Sequence, residues 1–123
     1  MVALWLVAGQ AFGADTVRLE LKAGAPAQPF TEWTPFAETD ALTVSCKTDG
    51  GCRMRNQAGD TAPLTTSVDL AKSIVTFGFK AGADLSTNFR SMKSSRFVLQ
   101  MNKADLTEQL AAKIGATGSG TDR

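Results

Sequence analysis

The chain has 123 residues, of which 43% are hydrophobic and 20% charged, and its formal net charge is +1. That length suits one domain with its own core, while the composition excludes a disordered tail and a helical membrane bundle, and the charge balance excludes a dedicated nucleic-acid binder. It contains no histidine and no tyrosine, so the commonest general base and the commonest metal ligand are missing.

Residues 1–14 read as an export signal. An apolar run from Val2 to Ala8 leads into Ala11-Phe12-Gly13, which sets small residues at the −3 and −1 positions of a peptidase site. The run is too short to span a bilayer, and no transmembrane span is expected. No Lys or Arg precedes Arg18, which leaves a start further upstream, or a buried first strand, as competing readings. Residues 15–115 then form a single β-rich domain, and "ATGSGTDR" (116–123) a flexible tail.

Thr16 to Lys22 alternates, with Val17, Leu19 and Leu21 on one face and Arg18, Glu20 and Lys22 on the other, which predicts a strand. Gly24, Pro26 and Pro29 make 23–29 a loop. The segment "PFTEWTPF" (29–36) sets Phe30 and Trp33 between Pro29 and Pro35, with Phe36 directly after. Exposed, these three aromatics would anchor a partner. The competing reading, a loop pinned to the core, accounts better for so much aromatic area in a small domain.

Ala41 to Gln57 predicts a hairpin around Thr48-Asp49-Gly50, with Leu42, Val44, Cys46, Cys52 and Met54 on its apolar face. Thr43, Ser45, Lys47, Arg53, Arg55 and Gln57 form the polar, basic face. That register sets Cys46 opposite Cys52. Five intervening residues do not suit a redox C-x-x-C pair, and two thiols without histidine cannot hold structural zinc. A cross-strand disulfide is therefore expected, and it requires an oxidising compartment, periplasmic or extracellular. A pair of reduced thiols in a cytosolic domain is the alternative.

Further on, Leu64 to Leu70 predicts a short strand. Ser73 to Lys80 predicts a strong one with Val75, Phe77 and Phe79 inward, and Gly78 marks a bulge or a close neighbour. "NFRSMKSSR" (88–96) spaces Arg90, Lys93 and Arg96 three apart; on a helical turn they would form an anion-binding face, and on a loop simply a solvated one. Arg96 to Met101 predicts another strand. Asn102 then caps a helix in which Leu106, Leu110 and Ile114 share one face, ended by Gly115.

The expected fold is β-rich α+β: an antiparallel sheet, sandwich or half-barrel, with one C-terminal helix. Met54, Met92 and Met101 are irregularly spaced, so packing explains them better than copper ligation. No catalytic motif is present, and no cofactor or metal is expected. The function expected is that of a small exported protein that binds a protein or envelope component without catalysis. The alternative is a self-assembling structural subunit, a homo-oligomer whose acidic and basic regions would meet across copies. Residues 15–45 hold two basic residues against five acidic ones, and residues 71–103 six against one.

Overall fold

The structure, a computed structural model, describes residues 16–25, 30–47 and 51–115. The export-signal segment 1–14, the turn residues 48–50 and the tail 116–123 lie outside the described residues.

Seven strands follow in chain order: β1 (Thr16–Leu21), β2 (Thr34–Glu38), β3 (Leu42–Cys46), β4 (Cys52–Asn56), β5 (Thr61–Asp69), β6 (Ile74–Phe79) and β7 (Arg96–Gln100). A short helix α1 (Thr87–Arg90) precedes β7, and α2 (Glu108–Lys113) follows it. Each strand pairs with the next, and β7 returns to β1, so the sheet is a closed barrel. This corrects the expectation of an open sandwich or half-barrel. Consecutive strands are antiparallel, but β1 and β7 are parallel, with Val17 opposite Phe97 and Leu19 opposite Leu99. Parity is the reason. Strands that alternate up and down put the first and seventh in the same direction, so a seven-stranded meander closes only through one parallel pair.

The core fills the barrel. Phe36, Val44, Cys46, Met54, Val75, Phe77, Phe89, Phe97 and Ile114 have no or almost no exposed surface. The hairpin faces fall as their alternation predicts: Leu42, Val44, Cys46, Cys52 and Met54 are buried, and the pairs run Val44–Met54 and Cys46–Cys52. The outer wall carries Arg18, Glu20, Arg53 and Arg55, so apolar side chains face in and charged ones out, the reverse of a lipid-facing barrel. No helix among the described residues is long and apolar enough to cross a membrane.

Two elements depart from the sequence reading. β2 was hidden inside the aromatic segment, because its side chains do not alternate. Between Pro35 and Ala37 the register with β3 shifts by a bulge, so Phe36 and Ala37 are both buried while Pro35 and Glu38 face outward. Pro35 is tolerated because it lies outside the pairing of β2 with β1, which covers only Ala37 and Glu38.

The second departure is at the C-terminus. The helix does not start at Asn102. Residues 102–105 form a turn, Thr107 is the cap, its hydroxyl accepting the Leu110 N–H at 3.2 Å, and α2 covers only Glu108–Lys113. Nor is it the sole helix. Leu106, Leu110 and Ile114 are nevertheless all buried, so the apolar face is realised by a turn plus a short helix. That face closes the end of the barrel where the β3–β4 connection lies: the Ile114 carbonyl oxygen is 3.5 Å from Cys52 Sγ. At the opposite end Phe89 of α1 packs on Phe79, 5.3 Å between ring centres, and Phe79 on Phe97, 5.5 Å.

Gly78 marks a close neighbour and no bulge. Its register with Thr65 is regular, and the Thr65 hydroxyl donates to the Gly78 carbonyl at 3.3 Å.

Candidate functional site: a basic groove on the outer wall

The outer face of β2, β3 and β4 is built in two rows. Pro35, Ser45 and Arg53 stand side by side across the three strands, and below them Glu38, Thr43 and Arg55. The small residues Pro35, Thr43 and Ser45 make a low floor between taller charged side chains. The result is an open groove of about 480 Å³, bordered by Lys22, Trp33, Glu38, Asp40, Arg53 and Arg55 among others.

Trp33 stands at the head of this groove, immediately before β2. Its backbone is left-handed, φ 43°, a conformation that costs a bulky residue about 1–2 kcal/mol. The turn around it is fixed by Thr34, which is buried and whose Oγ1 accepts the Thr31 N–H at 2.9 Å. The indole is half-buried. Arg53 Cζ lies 4.2 Å from the ring centroid and Lys47 Nζ 5.2 Å, a cation–π arrangement.

Arg53 is the unusual group. Its Nε is buried and has no hydrogen-bond partner among the described residues. Stacking on an indole steadies the positive charge but offers no acceptor to an N–H. The ion pair of the groove among the described residues is Lys22–Glu38 at 3.5 Å, between two well-exposed side chains.

The disulfide is formed. Cys46 and Cys52 are bonded, with Cα atoms 4.1 Å apart, and the Lys47 N–H donates to the Gly51 carbonyl at 3.2 Å just beyond them. Both cysteines point into the core, so the bond is a staple behind the groove, and it holds β3 and β4 in the register that aligns Ser45 with Arg53.

The structure separates the three aromatic candidates. Phe30 and Phe36 are buried and meet edge to face, 6.0 Å between ring centres, with Lys113 Nζ 4.5 Å from the centre of the Phe30 ring. Trp33 alone of the three faces outward. Arg90, Lys93 and Arg96 do not share a helical face: α1 ends at Arg90, Lys93 lies in the turn that follows and Arg96 opens β7. The Arg90 guanidinium instead donates to the Leu85 carbonyl at 3.1 Å. Met54 and Met101 are buried in the core and Met92 is half-buried.

A second polar cluster ties the barrel's lower end. Asp60 Oδ2 accepts from Asn56 Nδ2, Ser86 Oγ and Asn88 Nδ2 at 2.9–3.1 Å. These bonds, that from Asn88 foremost, hold the Asp60 carboxyl below its ordinary value of 3.8. The cluster clasps the segment leading into α1 to the β4–β5 turn.

Reading the sequence residue by residue isolates the basic face of the hairpin but not the groove. The missing piece is β2, whose bulge sets Pro35 and Glu38 beside that face. The available signal was a tryptophan just ahead of a threonine-proline pair. No protein family, curated protein or solved structure matches the chain significantly, so fold and site carry the functional argument.

Proposed function

We propose that this is an exported, non-catalytic binding protein whose recognition surface is the β2–β3–β4 groove with Trp33 at its head. The observation that carries this reading is Trp33 itself: a large aromatic held outward in a left-handed backbone conformation, where glycine would be cheaper for the fold. Strain retained at an outward-facing, half-buried aromatic favours a role in recognition. Export is supported by the signal-like N-terminus and by the disulfide, since such bonds persist in oxidising compartments. A binding role is supported by the lack of histidine and of any catalytic motif. The partner expected is an envelope component or another exported protein.

The test is a screen of the purified protein on peptide and glycan arrays, run beside Trp33→Ala. Binding that disappears in Trp33→Ala, while the variant still folds and melts cooperatively, is the expected result. Binding that is indifferent to Trp33, or no binding at all, sinks the reading. Protein recovered from its native source should begin near residue 14 or 15; intact Met1 would refute export by this signal.

A further inference from the structure

We infer that the groove takes a ligand bearing two neighbouring carboxylates, held by Arg53 and Arg55; this rests on the binding role proposed for the same groove. Both arginines are on the outer face of β4, two residues apart, so their Cα atoms are about 7 Å apart. Neither forms an ion pair with an acidic side chain among the described residues. Arg55 is exposed, and Arg53 carries a buried N–H with no acceptor among the described residues. Buried donors are almost always satisfied, so an orphan beside an open groove points to an acceptor that arrives with a ligand. The Ser45 and Thr43 hydroxyls lie opposite the two arginines on β3 and can donate to the same oxygens.

A guanidinium fork grips carboxylate and phosphate alike in two parallel bonds, so it is the neighbouring acids that favour carboxylate. The groove contains Glu38, already paired with Lys22, and Asp40. Those acids oppose a compact dianion more than two separated single charges. Lys47, near the Trp33 ring, adds long-range attraction.

The experiment uses the full chain, at low ionic strength, with three probes: glutarate, the neutral glutaramide and inorganic phosphate. Binding is followed by calorimetry and by the NMR shift of the Trp33 indole N–H. Glutarate should bind saturably and move the indole signal, and glutaramide should do neither. Arg55→Gln should weaken glutarate about tenfold or more. Arg53→Gln should do the same, with melting temperature recorded because Arg53 also packs on Trp33; Arg55, exposed, gives the variant free of that complication. Absence of glutarate binding, an equal response to glutaramide, phosphate binding as tight as glutarate, or an indifferent Arg55→Gln would each overturn the assignment. Trp33-dependent capture of neutral ligands on the arrays, with no glutarate binding, would leave the binding role standing and remove only the carboxylate. An array without Trp33-dependent capture would remove the role itself.

Discussion

At the scale of single residues, Trp33 and Phe36 show how three positions separate surface from core. Phe36 has no exposed surface, so Phe36→Ala should cost about 3–5 kcal/mol in denaturant unfolding. Trp33→Ala removes a half-buried ring and its cation contacts and should cost only about 1–2 kcal/mol. Trp33→Gly should be more stable than Trp33→Ala by about 1 kcal/mol, because glycine adopts φ 43° without a Cβ penalty. The reverse order would mean that the turn is not left-handed in solution. Asp60 gives a prediction in pH. Its carboxyl is held below its unfolded value, so its contribution is present above that value and is lost as pH falls through the lowered one. Unfolding midpoints measured from about pH 5 down to about pH 2 should fall more steeply for the wild type than for Asp60→Asn. Parallel curves would show that the clasp contributes nothing.

At the scale of elements, the hairpin and the C-terminal segment behave differently. The hairpin β3–β4 is specified twice, by clean alternation and by the disulfide. Closing so short a loop stabilises by about 2 kcal/mol, and with both sulfurs in the core the bond is shielded. Alkylation of the native, unreduced protein should add no mass, and modification of either thiol would contradict the pairing. The C-terminal segment docks by three side chains and has little helix of its own. Leu106 is buried although it precedes α2, so Leu106→Asp should cost several kcal/mol by placing a charge against the barrel end. An unchanged melting temperature would show that this end of the barrel is not covered by the segment.

At the scale of the whole molecule, closure changes the argument about assembly. An open sheet would offer strand edges to another copy, whereas here every strand has a neighbour on both sides. The chain regions 15–45 and 71–103 lie in one barrel, since β1 pairs with β7. Light scattering of the purified chain should therefore report a monomer at or below 13.0 kDa, the mass of the full sequence, and a ring or fibre would require a contact other than edge pairing. Because a single hydrophobic core joins all seven strands, Phe97→Ala should lower the unfolding midpoints seen by tryptophan fluorescence and far-ultraviolet circular dichroism together.

The sequence by itself determined which residues turn inward along β1, β3, β4, β6 and most of β7, and it determined the disulfide. Alternation and cysteine spacing are local, and burial follows them residue by residue. Val98 is an exception: alternation with Phe97 and Leu99 puts it on the outward face, yet it is buried, set between Arg18 of β1 and Thr76 of β6 in a pairing that only closure creates. Tertiary structure alone decided the closure, the strand β2 and the groove. Closure depends on the pairing of residues some eighty apart, such as Leu19 with Leu99, which no local pattern encodes. β2 depends on a bulge set by its partner β3, and the groove exists only where that bulge returns Glu38 to the face that already carries Arg53 and Arg55.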